Sequence, residues 1–439
     1  MVINTLTRNK MIRQKKQEVK GIQEFEEQQN PVITSFLDLD HYKLTMGQFV
    51  FRRYPDVPVK YAFKNRTNVK LADIVDEKDL RKELDAVLDL QPTARELDYL
   101  RTLKNNGNRL FGEDYLQFLE NIKLPGYSLK AKDGNFQIEF PGKWAEAIYW
   151  ETLTLSIMNE LYYRVLTRNF DKEQINDLYK TGRQNLNTKI ETLKQIPDIR
   201  FLEFGTRRRF SKAWQDYVVK TLKQENSQQL TGTSNVYLAM KYQLEPRGTM
   251  AHELFMIMPG IMHKNDEEIR ASHNQVLTGW WDEYGYDLSI ALTDTYGSDF
   301  FFKDMTKEQA VKWKGLRQDS GNPELFGNKQ IEFYEAKGID PRKKLLVPSD
   351  GLCLETIINV QNKFRGKIIP VYGWGTNLTN DLGLDSLSIV VKAAEANGYG
   401  TVKLSDNPAK AMGSKEDIAR FMRIFEYDPS KYEYVRCRY

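Results

Sequence analysis

Between residues 201 and 377 the chain repeats one local pattern, a short apolar run that ends in a small, polar, glycine-containing motif. In order these motifs are FLEFGTRRR (201–209), LTGTSN (230–235), EPRGTMAHE (245–253), IALTDTYGSD (290–299), GLRQDSGN (315–322), LLVPSDG (345–351) and IIPVYGWGTN (368–377). A strand that stops in a Gly/Ser/Thr/Asp turn and leads into a helix is the repeating unit of a parallel α/β architecture. A succession of such units predicts a barrel whose strand ends face one common site. The side chains offered at those ends are Arg, Asp, Ser, Thr and His, with backbone Gly. That set suits a phosphorylated, anionic ligand.

The bulk numbers leave this reading room. A chain of 439 residues is long enough for two domains and a sizeable core. With 64 Lys and Arg against 60 Asp and Glu the net charge is +4, and dense basic blocks are missing. Nucleic-acid binding is therefore not expected, and anion binding should be local. The two cysteines, Cys353 and Cys437, lack metal-ligand spacing and suit a reducing compartment. No apolar run is long enough to span a bilayer and no signal-peptide pattern is present, so a cytoplasmic protein without a membrane partner is expected.

The flanking segments divide the chain. Residues 1–30 form a polar extension rich in Lys, Gln and Glu, frayed or helical. VKYAFKNR (59–66) reads as a strand, residues 77–122 as helical, and 127–144 as a hairpin turning at Asp133-Gly134. A long, mostly buried helix is expected over 144–168, and a second over 171–195 with Asp171 as its N-cap. Strands and a helix are expected from 388 to the end. The predicted fold class is α/β: an irregular α/β barrel (144–384) carrying the site, and an α/β sandwich domain built from both chain ends (31–143 plus 385–439).

Several side chains could carry chemistry. His252 follows a Gly-Thr turn and precedes an apolar helical stretch. A His there is well placed to meet phosphate, or simply caps the helix. His263 and His273 lie among charged residues and are expected at the surface. Asp294 ends an apolar strand and either orients an imidazole or closes a turn. In GLRQDSGN, Arg317 can fork onto a carboxylate or phosphate, and Asp319 with Ser320 can hold ribose hydroxyls, although Asp-Ser-Gly is also a common turn. The SDG and GWGT turns supply Asp350, Gly351, Gly373, Gly375 and Thr376, candidates for an anion-binding nest. Phe204 and Tyr42 either stack on a flat ring or pack in the core.

Assembled, these motifs resemble the nicotinate phosphoribosyltransferase family from about residue 34 to 425. The likeness rests on DHYKLTM, EFGTRR, GTSN, GTMAHE, TDTYG, RQDSGN, PSDG, YGWGTN and KLSDNPAK in this order. It implies an enzyme that joins nicotinate to phosphoribosyl pyrophosphate (PRPP), giving nicotinate mononucleotide and pyrophosphate in NAD salvage. It further implies Mg²⁺, ATP hydrolysis coupled through a phosphohistidine, and a homodimer. Carried onto these positions, it makes His252 the phosphorylated residue and Asp294 its orienting partner. Tyr42 and Phe204 become the pair that stacks on the pyridine, Tyr42 coming from a neighbouring subunit. Arg317 would lie near the nicotinate carboxylate, Arg207 would contact an anion, Asp319 and Ser320 would hold the ribose, and the two late turns would hold the 5′-phosphate. Ser234 stands where relatives selective for the amide carry Asp, and a neutral side chain there favours nicotinate. Asn322 stands where the family has a fourth-position Asp. Quinolinate transfer, which needs extra positive charge, a non-catalytic sensor and an aldolase-like barrel are the competing readings.

Overall fold

The computed structural model describes residues 31–435, so the extension expected over residues 1–30 lies outside the described residues. The two ends of the described chain meet in one five-stranded antiparallel sheet. Its order is Tyr399–Gly400, Ile389–Ala396, Pro58–Asn65, Asn135–Lys143 and Ser128–Lys132. Register runs from Val59 opposite Ala396 to Asn65 opposite Ile389. Alternation explains the pairing: Val59, Tyr61 and Phe63 on one strand and Phe136, Ile138 and Phe140 on another turn to the same buried side. Asp133 and Gly134 make the expected hairpin turn, with φ of 51° and 76°. A two-residue turn with both φ positive matches the twist of the strands it joins.

The helical reading of 77–122 is corrected to three helices, Glu77–Asp85, Ala94–Thr102 and Glu113–Glu120. Thr93 and Glu96 close a capping box at the second helix. Asn106-Gly107, both at positive φ, turn a small hairpin between the second and third. The other two long helices form nearly as expected. The first breaks once, into Trp144–Ala147 and Trp150–Thr167, and the second, Lys172–Lys194, starts from a capping box on Asp171. Fourteen residues of Trp150–Thr167 are buried, from Trp150 to Tyr163, because this helix packs among the antiparallel strand Ile389–Ala396, the helix Glu77–Asp85 and the short turn Thr206–Arg208.

The parallel strands form two hydrogen-bonded groups that share one segment. Ile369–Pro370 pairs with the strand Leu345–Pro348, which continues to Gly315–Gln318 and Ile290–Leu292. Two residues later Tyr372–Trp374 pairs with Phe201–Glu203, which continues to Leu230–Thr233. EPRGTMAHE does not form the expected strand. Pro246 makes one isolated bridge to Thr233, and Thr249 Oγ1 donates to the Ile290 carbonyl at 3.1 Å, so the segment lies between the edge strands Leu230–Thr233 and Ile290–Leu292 of the two groups. A proline lacks the N–H that a ladder needs, and Gly248 sits at φ 147° with the Tyr42 backbone 3.1 Å from where a Cβ would be. A side chain at 248 would push the Tyr42 helix away.

Candidate active site

The C-terminal ends of the parallel strands open into a cleft that the antiparallel sheet closes from the other side. Six cationic side chains line it: Arg66, Arg207, Arg208, Lys392, Lys403 and Lys410. Asp319 and Asp350 are the acidic side chains on its wall, and Lys410 holds Asp350 at 2.5 Å. The excess of positive charge makes the cleft a receptor for a polyanion. Of the residues expected at a site, Phe204, Arg207, His252, Asp319, Asp350, Gly351, Gly375 and Thr376 face this cleft.

His252 begins the helix His252–Ile261 and is 3% exposed. Its Nδ1 is 2.9 Å from Thr295 Oγ1, and its Nε2 is 3.0 Å from Asp319 Oδ2 and 2.8 Å from Lys403 Nζ. The expected orienting role of Asp294 is corrected: its nearer oxygen is 3.8 Å from Nε2, and its other oxygen accepts from Ser320. The hydrogen-bond partners of the imidazole are Thr295, Asp319 and Lys403. Burial, and then the charge of Lys403, push the imidazole down to about 4, so it is neutral at pH 7. Burial pushes Lys403 itself down to about 8. A charged Lys403 must donate to the Nε2 lone pair, leaving Nδ1–H to donate to Thr295. A neutral Lys403 allows Nε2–H to donate to Asp319 instead. The two patterns exclude each other. Burial raises the Asp319 carboxyl, but the His252 hydrogen bond and the charges of Arg317, His252 and Lys403 outweigh it and hold it well below the ordinary range.

Beside the cleft, Tyr42 and Phe204 face each other with ring centroids 6.0 Å apart and planes 26° from parallel. Both rings belong to one chain, which corrects the expectation that Tyr42 arrives from a neighbour. The Arg207 guanidinium lies 5.5 Å from each centroid, at the edge of this slot. Its Nε is 3.1 Å from Asp40 Oδ2, and Ser234 Oγ donates to Asp40 Oδ1 at 2.6 Å. Ser234 is therefore buried behind Asp40 and reaches the slot through it. Burial, set against the opposing charge of Arg207, raises the Asp40 carboxyl.

Below Phe204 lies a second, mostly apolar cavity of about 230 Å³, walled by Leu202, Val347, Val371 and Gly373 and edged by Arg247, Asp287, Lys314 and Arg317. Phe204 and Ser349 border both spaces. Gly373, expected to hold phosphate, belongs to this apolar cavity, where a Cβ would stand 3.0 Å from Ser349 Cβ. Arg317 also points here, donating to the Met250 carbonyl at 2.9 Å. Its buried Nε has no partner among the described residues, so it can still donate to a ligand on the cavity side of the slot. Ser320 is buried, donating to Asp294 and accepting from Ser405 Oγ and the Asp406 N–H. Asn322 caps the helix Pro323–Ala336 by accepting from the N–H groups of Glu324 and Leu325. That accounts for an amide at this position. His273, expected at the surface, is 1% exposed, with Nδ1 2.6 Å from Asp304 and Phe255 stacked on its ring. Its charged neighbours in sequence occupy the other face of the helix Asp266–Tyr284. His263 is half-buried, stacked on Tyr399.

Sequence reasoning singled out neither Arg66, Lys392, Lys403 and Lys410 nor Asp40. A signal existed for three of them: Lys403 and Lys410 sit in KLSDNPAK, and Asp40 opens the DHYKLTM motif. Lys392 lies inside an apolar strand run and carried none.

Comparison with known proteins gives a consistent result. A profile of the nicotinate phosphoribosyltransferase (NAPRTase) family matches residues 199–429, and one of the NAPRTase N-terminal domain matches residues 37–159. The crystal structure of a nicotinate phosphoribosyltransferase from Vibrio cholerae superposes with a TM-score of 0.82 at 32% identity, over 91% of this chain and 95% of that one. The corresponding enzyme structure from Porphyromonas gingivalis gives 0.80 at 30% identity, over 90% of this chain and all of the other. Among the described residues, no helix is long and apolar enough to cross a membrane.

Proposed function

This chain belongs to the nicotinate phosphoribosyltransferase family, and we propose that it makes nicotinate mononucleotide from nicotinate and PRPP, with ATP hydrolysis coupled through His252. The observation that carries this reading is the junction at Phe204 of an aromatic slot with a six-cation cleft. The pyridine enters between Tyr42 and Phe204, and PRPP fills the cleft. The pyridine nitrogen attacks C1 of the ribose, and the C–O bond to pyrophosphate breaks with its electrons on the leaving group. Holding the ring edge against C1 supplies orientation, and the lysines stabilise the departing charge. Arg317, through its unpartnered Nε, and Arg207 are the cations that receive the nicotinate carboxylate. Asp319 reaches the ribose, and Asp350, Gly351, Gly375 and Thr376 border the 5′-phosphate.

For ATP, the neutral imidazole offers the Nε2 lone pair to the γ-phosphorus. The N–P bond forms, the bond to the bridging oxygen breaks, and ADP leaves. Lys403, which holds the Nε2 lone pair at rest, gives it up as the N–P bond forms and donates to the oxygens of the new phosphoryl group instead. Among the described residues no group of three or more His, Cys, Asp or Glu side chains could hold a metal ion. Asp319 and Asp350 on the cleft wall fit the one or two carboxylates that Mg²⁺ takes when it is carried largely by substrate phosphates. Bound there it would neutralise phosphate charge.

The seven parallel strands with the bridging 246–249 segment are proposed as the irregular barrel of residues 144–384, and the antiparallel sheet as the core of the sandwich domain. A homodimer belongs to the same reading, although the slot takes both its rings from one chain. The deciding experiment is a product assay with nicotinate, nicotinamide and quinolinate, each with and without ATP. Nicotinate mononucleotide formed fastest with ATP present is expected. Equal efficiency on nicotinamide, or a preference for quinolinate, would overturn the assignment.

A further inference from the structure

Six charges are packed together beside the cleft, with Arg207 and Lys392 on its wall and the other four buried behind them. Lys43, fully buried, reaches Glu151 at 2.7 Å and also pairs with Glu253. Glu151 pairs with Lys392 at 2.5 Å, stands 3.3 Å from the Tyr42 hydroxyl, and lies 3.7 Å from Arg207, which in turn pairs with Asp40. Glu253 also accepts from Tyr61 Oη at 2.9 Å and Trp144 Nε1 at 3.3 Å. Three cations (Lys43, Lys392, Arg207) and three carboxylates (Glu151, Glu253, Asp40) sum to 3 − 3 = 0. Burial raises the Glu151 carboxyl, but Lys392, Lys43 and Arg207 outweigh it and hold it low. Stability does not by itself account for such a cluster, because well-packed apolar side chains of the same volume often serve as well or better.

The chain order is the telling feature. Tyr42 forms one wall of the slot and Lys43 follows it in the first turn of the helix His41–Arg53. His252 faces the cleft and Glu253 follows it in the first turn of the helix His252–Ile261. The two residues with a chemical surface are thus joined, one position on in each helix, by a buried ion pair. The slot also has to move. A ring held in contact on both faces needs about 7 Å between its neighbours, and Tyr42 and Phe204 are 6.0 Å apart.

We propose that Lys43 and Glu253 are positioning residues that couple the state of His252 to the width of the pyridine slot, acting through Glu151. The proposal rests on the reading of His252 as the residue that takes phosphate from ATP. A new charge on His252 shifts the first turn of its helix, Glu253 carries Lys43 with it, and Glu151 moves the Tyr42 hydroxyl. ATP then changes the affinity for nicotinate rather than the chemistry at the ribose.

Two variants test this. Glu253→Gln keeps an acceptor for Tyr61 and Trp144 and removes the charge. Lys43→Met with Glu253→Gln removes one charge of each sign and leaves the cluster balanced, so it decides the matter if the single variant fails to fold. The readouts are label from [γ-³²P]ATP on His252 and the nicotinate KM with and without ATP. Both variants are expected to keep the label, with kcat at saturating nicotinate within about threefold of the parent, while the ATP effect on KM falls to within about twofold of none. An unchanged ATP effect on KM in a folded, labelled variant overturns the coupling. Loss of the label in a folded variant also overturns it, because Glu253 would then act on phosphorylation itself. An unlabelled wild type would remove the histidine reading and the coupling with it, and would be seen before any variant is made.

Discussion

Phe204 separates two spaces built from the same strands. On the cleft side the walls are lysines, arginines and two aspartates, and four of the six cations come from outside the strand-end motifs. On the cavity side the wall is mostly apolar, with Leu202, Val347 and Val371, and carries Arg247, Asp287, Lys314 and Arg317 at its margins. The charged side is an assembly of distant segments, with Arg66 from the N-terminal part and Lys392, Lys403 and Lys410 from the C-terminal part. The cavity side comes wholly from residues 202–373, the parallel strands and the segments beside them. The contrast separates two tasks, since a polyanion needs charges gathered from several elements and a flat ring needs one well-shaped gap.

The harshest test of this division is His252→Ala. It should abolish phosphate labelling and ATP stimulation while slow ATP-independent synthesis persists, because the imidazole is not bonded to the reacting carbon. Label remaining on the variant would end the assignment. Next in size is Lys403→Met on the charged side. A hydrogen bond to a charged group is worth about 1.5–3 kcal/mol, so the PRPP KM should rise roughly 10- to 100-fold, with the nicotinate KM within about threefold. Equal effects on both substrates would erase the distinction between the two spaces.

The same lysine gives a pH signature. With Lys403 lowered to about 8, its charge is full below that pH and is lost as pH rises through it. The PRPP KM of the parent should climb above pH 8, and that of Lys403→Met should stay flat. A parallel climb in both would place the titration elsewhere. On the slot side, Ser234→Asp sets a second carboxylate against Asp40 and should weaken nicotinate about tenfold by like-charge repulsion. An unaltered ratio of nicotinate to nicotinamide efficiency would count against the slot as the seat of selectivity. The smallest effect belongs to Phe204→Leu, which keeps bulk and loses the aromatic face. Stacking is worth about 0.5–1.5 kcal/mol, so the nicotinate KM should rise about two- to tenfold while the PRPP KM does not move.

The alternation of VKYAFKNR, the Asp133-Gly134 turn, the Asp171 cap and most of the strand ends were readable because each is a local signal. Asp319, Asp350, Gly351 and Gly375 were readable for the same reason, since each follows an apolar strand in a turn of the right chemistry, and His252 because it opens a helix after a Gly-Thr turn. Three errors share a cause. Asp294 was matched to His252 by strand-end chemistry, yet a hydroxyl one residue later, on Thr295, makes the Nδ1 contact. His273 was read as exposed from charged neighbours in sequence, although those residues lie on the opposite side of its helix. Gly373 was grouped with Gly375, but Gly373 lies inside the strand Tyr372–Trp374 and lines the cavity, whereas Gly375 follows the strand where the chain turns into the helix Thr376–Thr379 and borders the cleft.

By itself the sequence determined the α/β class, the family and the strand ends at which a polyanion would be met, because periodicity and turn chemistry act over a few residues. The tertiary structure decided which cations reach the cleft, that both rings of the slot belong to one chain, and that Lys43 joins Glu151 to Glu253. Those facts depend on contacts between distant parts of the chain, such as Lys43 to Glu253 across 210 positions. Such contacts form where packing of the whole core brings segments together, and no local pattern of residues encodes them.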